Sequence, residues 1–171
     1  MNALSLERIN ANAPYRVVQR EGRYVHLFFC NDYGVDYEIS FRPDESIVPS
    51  GAYALDITRR TQKGAPADPK FRQTLLAIIE EFFLQNNDVM LYLAETGDGR
   101  QAMRNRLFVA WFNTYEHRSR YVIRTAEGRM EGQPNFMAIF MRTDNPRLQQ
   151  VLDEFQETVS LLFDSPTEPA T

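Results

Sequence analysis

A chain of 171 residues that is 43% hydrophobic and 25% charged can bury one sizeable core and is too short for two ordinary domains. Its 19 Lys plus Arg against 23 Asp plus Glu leave a formal net charge of -4, which argues against a generally basic nucleic-acid binder, and only Lys63 and Lys70 among those cations are lysines, so lysine chemistry is nearly excluded by count. Cys30 is the only cysteine and His26 and His117 are the only histidines, which excludes an intrachain disulfide, a multi-cysteine metal site and a histidine-rich zinc centre, and favours a reducing compartment.

The first dozen residues read either as a short helical turn over 4–9 or as a loose arm. Residues 15–20, 24–30 and 36–41 are aromatic and β-branched runs divided by Glu21-Gly22-Arg23 and Asn31-Asp32-Tyr33-Gly34, the turn chemistry of an antiparallel meander. Pro43, Pro49 and Gly51 mark a loop, and Tyr53, Leu55 and Ile57 alternate through a fourth strand. Asp68-Pro69 then supplies a helix start, because Asp can accept from free backbone N–H groups and Pro needs no donor at the first helical position. Phe71, Leu75, Ile78, Ile79, Phe82 and Phe83 form the apolar stripe of that helix.

Residues 89–94 are almost wholly apolar, as expected of a strand near the centre of a sheet. A helix from about residue 99 or 100 to 112 follows, then strands over 121–125 and 136–141 that form a hairpin. Asn145-Pro146 repeats the cap-plus-proline signal ahead of a terminal helix carrying Leu148, Val151, Leu152, Phe155, Val159 and Leu162. Strands and helices do not alternate regularly, which favours α+β over a doubly wound nucleotide-binding fold. The expected architecture is a single domain over 1–171 with a largely antiparallel sheet of about six or seven strands packed by three helices. Residues 1–12 are expected as an N-terminal arm and 165–171 as a flexible tail.

No stretch approaches the roughly 20 apolar residues that cross a bilayer, and the start of the chain lacks a basic region followed by an apolar core. The expectation is a cytoplasmic protein with no membrane partner. Gly97-x-Gly99 lacks the spacing of a phosphate loop and no dinucleotide fingerprint is present, so no cofactor is expected.

The helix after residue 99 carries the main functional signal. On a wheel of about 100° per residue with Arg100 at zero, Met103, Leu107, Trp111 and Phe108 fall near 300°, 340°, 20° and 80°, and Arg104 falls near 40°. Arg100 and Arg104 therefore sit inside the apolar sector. Either internal carboxylates tie them to the core, with Glu80, Glu81, Glu95 and Asp98 as candidates, or they meet a phosphate, nucleotide or partner carboxylate. Asp98 would compete with such an anion as the helix cap.

Residues 100–129 hold seven arginines against Glu116 and Glu127, a local excess of five positive charges, interleaved with Tyr115, His117 and Tyr121. Arg118, Arg120 and Arg124 share one strand parity, so that face is expected to be wet, with Tyr121 and Ile123 facing inward. This composition could grip an acidic protein or, less readily in an acidic chain, single-stranded nucleic acid.

Elsewhere His26 reads as a packed or edge histidine. A Cys30–His26 dyad would have to span about 13 Å along one strand. Asp36 and Glu38 share a face with about 7 Å between them and could form an acid/base or metal pair or a solvated turn.

The segment Asp32-Tyr33-Gly34-Val35-Asp36-Tyr37-Glu38-Ile39-Ser40-Phe41 and the later Asp98-Gly99-Arg100-Gln101-Ala102-x-Arg104-Asn105-Arg106-Leu107-Phe108-x-x-Trp111-Phe112 resemble a family of small uncharacterised bacterial proteins, a domain of unknown function common in Bacteroidetes. The likeness spans roughly residues 14–163. It implies a bacterial single domain and no activity. It marks Asp98, Arg100, Gln101, Arg104, Asn105 and Trp111 as the place where a family site would be sought.

The leading expectation is a noncatalytic binding or interaction module whose arginine and aromatic surface engages an acidic protein or a small anionic ligand. Its candidate binding residues are Asp98, Arg100, Gln101, Arg104, Trp111, Arg118 and Arg120. One alternative is an enzyme acting on a phosphorylated or nucleic-acid substrate, with Glu95, Asp98 or His117 in acid/base or metal roles. The other is a self-assembling homo-oligomer joined through exposed meander edges.

Overall fold

The alternating runs of the sequence become seven strands: β1 (Val18–Arg20), β2 (Val25–Cys30), β3 (Asp36–Asp44), β4 (Ala52–Arg59), β5 (Met90–Ala94), β6 (Tyr121–Met130) and β7 (Gln133–Arg142). They form one sheet in the order β1-β2-β3-β4-β5-β7-β6. Four α-helices accompany them: α1 (Leu6–Asn12), α2 (Pro69–Gln85), α3 (Gln101–Asn113) and α4 (Leu148–Leu162). This computed structural model describes residues 1–61, 64–94 and 101–163, and at 101–104 the backbone only. The fold is α+β, and only the β4–β5 pair is parallel among the described strands.

The fourth helix is where the architecture departs from the three expected. Residues 6–12 are a helix packed on α2, because their own sequence supplies both a cap and a buried anchor. The Ser5 hydroxyl accepts from the Arg8 N–H, and Ile9 is fully buried. The buried carboxylate of Glu81 in α2 accepts from the Ser5 N–H at 2.7 Å and from Arg8 Nε and Nη2 at 2.9 and 3.0 Å. Burial alone would push Glu81 up, but the hydrogen bonds from Arg8, Ser5 and Gln85 outweigh it and hold the carboxyl below its ordinary range.

Other boundaries shift for local reasons. β1 keeps only three residues, since Val17 exchanges hydrogen bonds with the Asn10 side chain instead of a strand. β6 and β7 extend past Gly128 and Pro134 and meet at Glu131-Gly132, both with positive φ (50° and 77°), which is the two-residue turn matched to strand twist. Arg118 and Arg120, whose shared parity with Arg124 assumes extended backbone, lie in a 3-10 turn, Arg118–Arg120, ahead of β6. Asn145 does not cap α4 directly. It accepts the Arg147 N–H at 2.8 Å, and the helix begins at Leu148. At α2 the expected cap holds, with Asp68 accepting from Lys70 and Phe71.

Helices cover the two faces of the sheet unequally. On one face α1, α2 and α3 bury a continuous core with Leu27, Phe29, Ile39, Phe41, Leu55, Met90 and Phe140. On the other, Val151 and Phe155 of α4, with Ile47 and Val48 of the β3–β4 loop, cover Leu91, Met137, Ile139 and Met141. That second cover lies on β5, β7 and β6. The same face of β1, β2 and β3 has no helix on it among the described residues.

Candidate functional site

Strand alternation and register fix what lies on the uncovered face. Pairing aligns Val18 with Phe28, Phe28 with Glu38 and Glu38 with Thr58, so these four form one row across the strands. Two residues toward one end Cys30 pairs with Asp36, and just past β4 the Arg60 N–H donates to the Asp36 carbonyl at 2.8 Å; Arg16, just ahead of β1, lies on the same side. Two residues toward the other end come Arg20, His26, Ser40 and Asp56.

Side chains on this face pair along diagonals, the second-nearest contacts a twisted sheet offers. The Arg20 guanidinium lies 4.3 Å from the centre of the Phe28 ring. Glu38 joins two diagonals: one oxygen lies 2.6 Å from His26 Nδ1 and the other accepts from Arg60. Its partial burial favours the neutral acid, yet the hydrogen bonds from His26 and Arg60 prevail and keep its pKa below the ordinary value. The other edge of the His26 ring lies against Gly22, where a Cβ would stand 3.0 Å from Cδ2. His26 is thus a packed edge histidine that braces Glu38, and Glu38 in turn fixes Arg60.

Arg16, Arg20 and Arg60 surround a shallow groove of about 310 Å³, lined also by Val18, Phe28, Cys30 and Asp36. Arg60 donates to Glu38 through Nη1 with its side chain still 56% exposed, whereas Arg16 and Arg20 are exposed and have no carboxylate partner among the described residues. Partial desolvation and the adjacent Asp36 carboxylate push the Cys30 thiol up, so it lies in the groove as a neutral group. Asp36 and Glu38, expected as a pair on one face, do share it, but Glu38 is occupied by His26 and Arg60. Among the described residues there is no group of three His, Cys, Asp or Glu side chains able to hold a metal ion.

The residues expected to bind are distributed differently. Asp98 and Arg100 lie outside the described residues, as does Glu95. Gln101 and Arg104 belong to the first turn of α3, where only the backbone is described. The inward line of α3 is Asn105, Phe108 and Phe112, near 110° on the wheel, and Leu107 is 47% exposed. The expected apolar sector around Leu107 and Trp111 is therefore not the buried one. The wheel counted side-chain type, but the helix is seated by the rings Phe108 and Phe112 against Phe140 and by Tyr92, whose hydroxyl donates to Asn105 Oδ1 at 3.0 Å. Trp111 is half-buried with its ring edge-on to Phe71, and its carbonyl accepts from Arg72.

In the following hairpin, arginines meet backbone carbonyls. Arg118 donates from Nε to Asn113 and from Nη1 to the Tyr121 carbonyl at 2.6 Å. Arg124 donates to the Ile123 carbonyl, and Arg129 donates through two nitrogens to Gly132. Tyr121 and Ile123 lie on the outer edge of the sheet, so these guanidinium groups satisfy carbonyls that the edge leaves unpaired. Arg120 is exposed beside Tyr115 and Tyr121. Tyr121 and Ile123 do face the core, as expected, but Val122 on the opposite parity packs against the second cluster under α4, so only part of that face is wet.

The signal that sequence reading missed is Arg16-x-Val18-x-Arg20, in which two arginines share strand parity with an apolar residue between them. Nothing in that spacing says whether a helix covers them.

The fold and this groove define a class: an α+β protein whose seven-stranded sheet is covered on one whole face and on half of the other. The chain belongs to the family of unknown function DUF6169, whose model matches residues 67–157, more than half of the chain. The match includes the arginine-bearing helix and lies inside the broader 14–163 expected from the resemblance; the meander that builds the groove precedes it. No curated protein and no solved structure matches the chain. No helix among the described residues is long and apolar enough to cross a membrane.

Proposed function

We propose that this protein is a noncatalytic binding module that engages an anionic ligand or an acidic protein through an arginine and aromatic surface, acting in the cytoplasm. The observation that carries the reading is the groove on the uncovered sheet face. There Arg16 and Arg20 have no carboxylate partner among the described residues, Arg60 is held by Glu38, and Phe28 supports Arg20, in a chain whose net charge is -4. Planar guanidinium groups suit bidentate contact with carboxylate or phosphate, and stacking on an aromatic ring orients the fork in advance. Asp98, Arg100, Gln101, Arg104, Trp111, Arg118 and Arg120, the residues that the sequence marks for binding, are the second candidate, which Arg104→Leu probes separately.

The enzyme alternative, with Glu95, Asp98 or His117 in acid/base or metal roles, gains nothing from this face, whose histidine is engaged at Nδ1 by Glu38 and packed against Gly22. Assembly through sheet edges is likewise less favoured. β1 has three residues with Val17 capped by Asn10, and arginines cap carbonyls on β6.

The test is a titration of the full chain with citrate and with inorganic phosphate, followed by amide chemical shifts. Saturable shifts at Val18, Arg20, Phe28 and Cys30, weakened at least tenfold in Arg16→Ala/Arg20→Ala, support the reading. Shifts confined to the α3 region would move the site there, and no saturable shift anywhere would refute anion binding.

A further inference from the structure

We infer that the occupant of the groove is an extended acidic segment of a partner protein that crosses the strands, with acidic side chains about four residues apart and an apolar side chain between them. This inference rests on the anion-binding reading above and names the ligand class.

Four features favour such a segment over a compact anion. First, the groove is shallow and lies on an open sheet face, whereas small-molecule sites are concave enough to bury most of their ligand. Second, the cations are spread out. Arg16, just ahead of β1, and Arg60, just past the end of β4, both line the groove, and three strand spacings of roughly 4.8 Å put their backbones about 14 Å apart. A peptide rising about 3.3 Å per residue covers that span between positions i and i+4.

Third, Asp36 stands between the two cations. A compact multiply charged anion placed centrally would meet that carboxylate at close range, whereas a peptide can offer it a backbone N–H. Fourth, Val18, 41% exposed, stands as an apolar side chain among the polar ones of the groove, a seat for one aliphatic side chain.

The same features disfavour single-stranded nucleic acid. Sequence-tolerant binding of a strand relies on bases stacking on free aromatic faces. The Phe28 ring is already covered by the Arg20 guanidinium at 4.3 Å, and Asp36 and Glu38 lie where a phosphate backbone would cross.

The experiment titrates the isotope-labelled full chain with five probes: the capped peptide Glu-Ala-Val-Ala-Glu, its permutation Glu-Glu-Ala-Val-Ala, citrate, inorganic phosphate and hexauridylate. The expected result is saturable shifts at Val18, Arg20, Phe28 and Cys30 with the spaced peptide, at least fivefold tighter than with the permuted one. Arg16→Ala should weaken the spaced peptide about tenfold and erase most of that preference. Arg16 is exposed and makes no ion pair among the described residues, so its removal leaves the fold intact, which the unshifted amides of β5 and β7 would verify.

Equal binding of the two peptides overturns the spacing. Tighter binding of citrate, phosphate or hexauridylate than of the spaced peptide overturns the peptide assignment and keeps the anion site. Silence of all five probes at the groove overturns both.

Discussion

The two ends of the sheet are built from similar strands and meet opposite fates. On β5 and β7 both faces are apolar: Phe140 and Ala138 point to α2 and α3, while Leu91, Met137, Ile139 and Met141 point to α4. On β2 and β3 the inward residues Leu27, Phe29, Ile39 and Phe41 are as deeply buried, but their neighbours His26, Phe28, Cys30, Asp36, Glu38 and Ser40 face outward. A strand buried on both faces reads as an unbroken apolar run, and one buried on a single face alternates. The first end is committed to stability. The second keeps a charged surface whose side chains satisfy one another along diagonals and leave two guanidinium groups over.

Substitutions should separate the ends sharply. Phe140→Ala, which empties a site between α3 and the sheet, is expected to cost about 3–5 kcal/mol in denaturant unfolding, whereas Phe28→Ala on the open face should cost about 1 kcal/mol or less. Comparable losses at the two positions would show that something does cover the open face. Gly128→Ala comes next. A Cβ there would stand 2.4 Å from Phe163 Cγ, so overpacking at the end of α4 is expected to cost about 1–3 kcal/mol. Phe163→Ala in the same chain should recover part of that loss, and additive effects would rule out the contact as the cause.

Glu81→Ala removes the acceptor that ties residues 5–8 to α2 and is expected to cost about 1–3 kcal/mol, with faster amide exchange in α1. The same tie sets a pH dependence. Because the folded pKa of Glu81 is depressed, its contribution is complete above the unfolded carboxyl value of about 4.3 and is lost as pH falls through the lower folded value. Protection of the α1 amides relative to their intrinsic exchange rates should therefore fall between pH 5 and acid more than that of β7, and an equal fall would refute the role of Glu81. The smallest effect belongs to Cys30. Its raised thiol pKa predicts slower alkylation at pH 7 than a free cysteine, and Asp36→Asn should speed it up. An unchanged rate in that variant would remove Asp36 as a cause.

Much of this molecule is legible without coordinates. The meander turns, the Asp68-Pro69 start of α2 and the apolar β5 are local chemistry, since each depends on residues within a few positions of one another. The α1 helix was ambiguous because its anchor, Glu81, lies 76 residues from Ser5. The seating of α3 departs from its helical wheel for a related reason: a wheel ranks side chains by type, while Asn105 is buried because Tyr92 offers it a hydrogen bond. The arginine excess after residue 100 suggested a surface for partners, yet Arg118, Arg124 and Arg129 reach carbonyls at the edge and turn of a hairpin, a need visible only once β6 is known to be the outermost strand.

By itself the sequence determined which residues share a face, because strand parity is fixed by the backbone, and it determined that positive charge here is guanidinium charge. Which faces are covered was decided by the tertiary structure. α4 leaves β7 and comes to rest over β5, β7 and β6, so the outward residues there are core and those of β1, β2 and β3 are surface. Alternation is a property of neighbouring residues, whereas burial depends on a helix that arrives only after the last strand.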